Sequence, residues 1–353
     1  MATILASIPD CVEATSSPEP SPPESPSESS PVRWQESMRT AIRSSGELLK
    51  LLGLPESGFS TGAEDEFPVF VPREFMARMT PNPLDPLLRQ VLASPEEISP
   101  NWFDGAMIDP VGDKASVRNP GLLQKYVGRA LLITSGACAV HCRYCFRRHY
   151  PYQTTPKGPS GWRASLDTLQ ADKSVEEVIL SGGDPLTVID AQLQWLINEL
   201  NQIAHVRRIR IHTRVPVVIP QRVCDDLLAW VRSSRAAVYF VLHINHPQEI
   251  DAHVAAAVKL LRAAGATLLN QSVLLRDIND SPEIQLELCR ELVNMQVLPY
   301  YIHHLDRVAG AMHFESTVEA GHAIVEHLRK NLPGYAVPKF VREIAGEPSK
   351  TPL

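Results

Sequence analysis

The chain is short of the features that mark special protein classes. It holds 6 cysteines in 353 residues, too few and too unevenly placed for the disulfide framework of a small secreted domain. No run of about 18 apolar residues occurs, so no segment reads as a membrane-spanning helix. The opening MATILASIPD lacks the basic lead and long apolar core of a secretion signal. Positive charge is not in surplus either. The net charge is −6, and residues 1–32 carry Asp10, Glu13, Glu19, Glu24 and Glu28 with no Lys or Arg, leaving about −1 for the rest. Neither a nucleic-acid partner nor a membrane partner is expected, and the expected location is the cytoplasm.

What is present is ordinary for a soluble enzyme-sized domain, with 44% hydrophobic and 21% charged residues. Residues 1–32 are rich in Pro, Ser and Glu, bury too little apolar surface to offset their ordering entropy, and read as a disordered tail. Residues 33–120 read as a helical extension. In WQESMRTAIRSSGELLKLLGLP, Met38, Ile42, Leu48, Leu49 and Leu52 recur at helical spacing before the stop signals Gly53 and Pro55, and REFMARM and PLLRQVL add shorter helical pieces. From residue 121 to 335 the rhythm becomes strands alternating with amphipathic helices. Six strands are expected, in ALLIT, EEVILSGG, RIRIHTR, VYFVLHIN, TLLNQSVLL and LPYYIHHLD. This is the pattern of βαβ units wound into a partial (β/α)6 barrel, an α/β fold whose strand ends and following loops carry the chemistry. Residues 336–353 form a separate C-terminal segment.

The stretch SGACAVHCRYCFRRHYPY places Cys138, Cys142 and Cys145 in the loop after the first of these strands. Thiolates are soft anionic ligands, and three at C-x3-C-x2-C spacing point to a shared metal centre. A structural zinc site needs a fourth ligand. Cys11, Cys224 and Cys289 form no second pair, and only His141 or His149 stands close enough in sequence to close such a site. An iron–sulfur cluster with one iron left open is the better match. SGGDP, residues 181–185, reads by itself as a strand-to-helix turn whose glycines permit close backbone approach. Taken singly, His243 and Gln271 read as polar core residues, Asp306 as a turn cap, Arg129 as a solvated strand end and Lys350 as a tail lysine.

Taken in order, KYVGRALLIT, CRYCFRRHYPY, SGGDPL, HINHP, NQSVLLRDIND, LPYYIHHLD and GEPSKTPL resemble the radical S-adenosylmethionine (SAM) enzymes, and more narrowly the lysine 2,3-aminomutase family, from about Gly121 to the last residue. The resemblance implies a 4Fe–4S cluster on Cys138, Cys142 and Cys145, with SAM on its open iron and against Ser181, Gly182, Gly183, Asp184, His243 and Gln271. It implies pyridoxal 5′-phosphate (PLP) on Lys350, the catalytic lysine, with its phosphate met by Arg129. L-lysine would be held at its carboxylate by Arg147, whose planar fork suits two oxygens, and at its ε-ammonium by Asp306 and Glu343. Glu343 stands where the family's lysine-specific members carry Asp. An electron donor such as flavodoxin or ferredoxin is implied. The wording of CAVHCRYCFRRHYPY and REIAGEPSKTPL is most similar to the branch supplying β-lysine, expected in the (R) form, for translation elongation factor P, with a functional link to that factor's β-lysine ligase. Two rivals remain at this level: an aminomutase serving free-lysine catabolism or solute synthesis, and a non-catalytic iron–sulfur redox sensor.

Overall fold

The computed structural model describes residues 33–353; the tail reading for residues 1–32 lies outside them. Strands run in sequence order across one sheet: β1 (Val117–Asn119), β2 (Leu122–Tyr126), β3 (Arg129–Ser135), β4 (Glu177–Gly182), β5 (Arg208–Thr213), β6 (Ala237–Leu242), β7 (Thr267–Val273), β8 (Leu298–His303), β9 (Lys339–Arg342) and β10 (Thr351–Pro352). Neighbours from β3 to β9 pair in parallel, and the flanking pairs β1–β2, β2–β3 and β9–β10 are antiparallel.

Parallel strands need a crossover, and each here is a helix: Gly158–Ala171, Asp190–Gln202, Asp225–Ser233, Ala252–Ala263, Pro282–Asn294 and Val318–Asn331. The six βα units starting at β3 are those that the alternation of apolar runs predicts. Among the described residues β1 and β10 do not pair, so the sheet stays open and the architecture is a partial (β/α)6 barrel. The apolar residues of the strands pack against the helices: Leu132, Leu180, Ile209, Ile211 and Phe240 are fully buried. At about 1.5–3 kcal/mol per buried large side chain, such positions dominate the stabilisation. The same hydrophobic cluster takes in Ile42, Leu48, Phe75 and Leu87, so residues 33–120 pack onto the barrel wall.

Two local expectations are corrected. The continuous helical reading of residues 34–55 is broken into Trp34–Arg39 and Ser45–Leu51, because Ile42 bridges to Val71 and Ser44 caps the second helix by accepting from Glu47 N at 3.2 Å. PLLRQVL forms turns rather than a helix. Asp85 Oδ1 accepts from Leu87 N and Leu88 N, each at 2.9 Å, and the Gln90 carbonyl is taken by Arg143 N at 2.9 Å from the cysteine loop. Asn270–Gln271 shifts register against β8 without ending β7. Four strands beyond the six also appear, two before β3 and two after β8; their short hairpin and edge sequences carry too little alternation to be read in advance.

Candidate active site

Every residue singled out for cofactor or substrate contact lines one cavity of about 970 Å³, near the top of the roughly 300–1,000 Å³ range of small-molecule sites. Most come from beyond the C-terminal ends of the parallel strands: the thiols after β3, Gly183 and Asp184 after β4, His243 after β6, Asp306 after β8 and Glu343 after β9. Gln271 lies within β7. Arg129 opens β3 at its other end, so the cavity extends down along the strands.

The cysteine loop is pinned from outside the barrel. His141 N donates to Phe70 O at 3.0 Å, and Arg143 pairs with Glu97 through Nε at 2.8 Å and Nη2 at 2.6 Å. Arg148 joins the same carboxylate at 3.0 Å. His141 is spent on Pro68 O at 2.7 Å and on stacking with Phe67, and His149 on Ala309 O at 3.0 Å, so neither joins the thiols. Burial, then repulsion from Cys145, pushes the Cys138 thiol well up, and burial with Cys142 pushes Cys145 up to about 11. Thiols whose ionisation is opposed in this way, Cys138 and Cys145, suit a strongly positive centre able to share them. Among the described residues no three His, Cys, Asp or Glu groups converge as a single ion requires. A 4Fe–4S cluster takes thiolate ligands and can leave one iron without a protein ligand, and three cavity-lining thiols without a fourth protein donor match that requirement.

The SGGDP turn braces this loop. Gly183 N donates to Ser135 O and Asp184 N to Ala137 O, each at 2.7 Å. A Cβ on Gly182, at φ +128°, would strike Ser135 O, and one on Gly183 would strike Ala137 O. Both glycines are therefore needed for the approach of β4 to the thiol loop. The Asp184 carboxylate is raised to about 6 by burial against its hydrogen bonds. It accepts from Leu186 N at 3.0 Å, Thr213 Oγ1 at 2.8 Å and Arg214 N at 2.7 Å, tying β4 to the end of β5. His243 and Gln271 bond one another at 3.0 Å, and burial, then Arg214, lowers His243 to about 3, so it is a neutral imidazole.

Below the thiols runs a chain of charges. Arg147 Nη1 donates to Ser181 Oγ at 3.2 Å, and its Nε pairs with Asp113 Oδ2 at 2.7 Å. Lys125 Nζ lies 2.8 Å from Asp113 Oδ1 and 3.3 Å from Glu343 Oε1, whose other oxygen receives the Lys350 amine. Burial opposes both carboxylates, yet Arg147 and Lys125 hold Asp113 down at about 2, and Lys350 and Lys125 hold Glu343 down at about 2. Lys350 reaches the cavity because β10 returns antiparallel to β9, with Thr351 opposite Arg342 and Leu353 N donating to Phe340 O at 3.0 Å. Asp306 is different: burial raises it to about 7, with Lys350 offsetting only part, and its buried Oδ1 has no hydrogen-bond partner among the described residues. Buried His212 Nε2 and His303 Nε2 are also without partners there. Arg129 lies over the Tyr126 ring at 4.5 Å.

Comparison with known proteins follows from this geometry. No family model matches the chain. An L-lysine 2,3-aminomutase from Haemophilus influenzae is 44% identical over 321 residues, covering 90% of this chain and 94% of its own. The L-lysine 2,3-aminomutase of Escherichia coli is also 44% identical, over 91% of this chain and 94% of its own. The chain belongs to the L-lysine 2,3-aminomutase family. The L-lysine 2,3-aminomutase of Clostridium subterminale is 35% identical over 91% of this chain and 77% of its own. These matches to other aminomutases reach well before Gly121, so the extension that pins the cysteine loop falls within the family likeness.

Several cavity residues of this aminomutase-family chain escaped the sequence reading. Asp113 and Lys125 link the expected carboxylate binder to the expected ammonium binder, and Arg214, His212 and His303 line the wall. Lys125 lies within KYVGRALLIT and could have been flagged there as a second cation near Arg129. Asp113 sits in a turn with no motif, and only the packing of residues 109–116 beneath Arg147 reveals it.

Proposed function

We propose that the chain converts L-lysine to β-lysine by moving the α-amino group to C3, using a 4Fe–4S cluster, SAM and PLP, and that the (R) product serves modification of elongation factor P. Family membership makes the chain an isomerase, and the amino shift is the activity its relatives' names state. One observation carries the reading: Lys350, a lysine amine, rests on Glu343 inside the cavity that the three thiols line. An acid that accepts the chain's own ε-ammonium there suits a substrate ε-ammonium once Lys350 is engaged with PLP.

When bound, the cluster and SAM supply the radical chemistry and PLP a radical-stabilising carrier for nitrogen. The chain's residues supply position. Cys138, Cys142 and Cys145 hold the cluster; Ser181, Gly182, Gly183, Asp184, His243 and Gln271 form the SAM wall; Arg129 meets the PLP phosphate. Arg147, oriented by Asp113, offers its remaining N–H groups to the lysine carboxylate, and Asp306 and Glu343 fix the far ammonium. Fixing both ends of lysine fixes how its chain carbons lie against the SAM wall, which is how position would select the reacting carbon. The elongation-factor branch is supported by the wording of CAVHCRYCFRRHYPY and REIAGEPSKTPL.

Anaerobic reconstitution followed by chiral chromatography of products from L-lysine tests the activity, with (R)-β-lysine expected and unchanged lysine overturning it. Mass spectrometry of elongation factor P from a deletion strain tests the destination. A factor lacking β-lysine, restored by added (R)-β-lysine, is expected; a fully modified factor would favour the free-lysine role. A protein that binds iron yet neither binds PLP nor cleaves SAM would be a redox sensor instead.

A further inference from the structure

Arg214, the residue after β5, is 4% exposed, and its guanidinium faces one of the three thiols. Nη1 donates to Cys142 Sγ at 2.8 Å and to the Tyr144 hydroxyl at 2.8 Å, while Nη2 donates to Gln90 Oε1 at 2.7 Å and Glu249 Oε2 at 2.9 Å. Its partners are themselves fixed. Glu249 is fully buried and accepts from Asn245 N at 2.9 Å and His246 N at 3.2 Å; Asn245 Nδ2 donates to the Tyr144 hydroxyl at 2.7 Å. The guanidinium therefore cannot swing away without stranding a buried carboxylate. Arg78, which donates to the Glu249 and Val217 carbonyl oxygens, adds a second cation nearby. Among the described residues no side-chain cation donates to Cys138 or Cys145.

We propose that Arg214 is a positioning residue that raises the reduction potential of the cluster through its hydrogen bond to Cys142. This rests on the reading that the three thiols hold a 4Fe–4S cluster. The reduced cluster carries one more negative charge than the oxidised one. A fixed cation donating to a ligand sulfur in a water-poor site stabilises the reduced form more, which makes the electron easier to load. Glu249 does the opposite electrostatically while holding Arg214 in place, so the pair sets the value between them.

The test is a redox titration of reconstituted protein followed by electron paramagnetic resonance, with iron content measured for each variant. In Arg214→Met the oxidised-to-reduced ratio at the wild-type midpoint should rise about tenfold, a negative shift of about 59 mV for one electron. Arg214→Lys should shift less in the same direction, and Glu249→Gln should shift positive. Opposite signs from two members of one network distinguish an electrostatic role from a scaffold. Unchanged midpoints at full iron content overturn the proposal and leave the cluster reading intact, and loss of iron from all three variants makes the network a scaffold and overturns it too. A wild-type protein that assembles no cluster overturns the cluster reading itself.

Discussion

The two ends of the cavity are built on different principles. At the thiol end, neutral and charge-assisted hydrogen bonds converge on a short loop from β4, β5, the segment after β6 and the N-terminal extension. At the amine end, side chains from residues 113, 125, 343 and 350 meet through ion pairs, and buried Asp306 Oδ1 and His303 Nε2 have no hydrogen-bond partner among the described residues. A preassembled network suits a permanent centre, since rearranging buried hydrogen bonds is costly. Exchangeable ion pairs suit a site where one ammonium must be replaced by another. The contrast teaches that the thiol loop is held by bonds within the chain, whereas the amine end keeps open polar atoms inside the cavity for a ligand.

If the ends are independent, each should fail alone. Cys142→Ala should abolish the cluster's visible absorbance and all SAM cleavage, yet leave a borohydride-reducible PLP adduct on Lys350; loss of both would show that the ends are coupled. Lys350→Ala should do the converse, keeping iron and SAM binding while the specific PLP adduct and β-lysine formation disappear, as peptide mapping and product assay would report. Retained β-lysine synthesis would assign PLP to another lysine.

Smaller effects sharpen the comparison. Arg147→Lys keeps the charge but loses the planar fork and the geometry toward Asp113, a loss of about 1.5–3 kcal/mol, or roughly ten- to a hundredfold in lysine affinity, with the cluster spectrum unchanged. Calorimetry with intact cluster decides this, and an unaltered affinity would place the carboxylate elsewhere. The smallest effect is a pH dependence. With its pKa near 7, Asp306 is largely neutral below that pH and ionised above it. Only the ionised form attracts an ammonium, so lysine affinity should rise by up to about tenfold per pH unit on approaching 7 from below and level off above. Asp306→Asn should flatten that profile, and an unchanged profile in the variant would assign the titration to another group.

The legible part of this molecule was local. Short apolar runs alternating with amphipathic segments specify six strands because strands of a parallel sheet are buried on both faces, as β4 is over Val178–Gly182, and the intervening helices follow from period 3.6. The spacing of the three thiols points to a shared metal centre, and the order of short motifs carries the family. The additional strands were not legible, since β10 is only Thr351–Pro352 and exists because Arg342 and Val341 offer it an edge. Nor was the meaning of Gly182 and Gly183, whose missing side chains matter through the carbonyl oxygens of Ser135 and Ala137.

The sequence by itself therefore determined the parallel α/β architecture, the crowding of three thiols in one loop and the family, each encoded in residues close along the chain. Tertiary structure alone decided that Asp113 orients Arg147, that Arg214 reaches Cys142 and that Lys350 lies on Glu343 within reach of Lys125. The physical reason is that charge pairing and hydrogen bonding act through space over a few ångströms, whereas most of these partners are separated by tens to hundreds of residues, and even Lys350 and Glu343 meet only because β10 turns back on β9, so no local pattern records which cation will meet which anion.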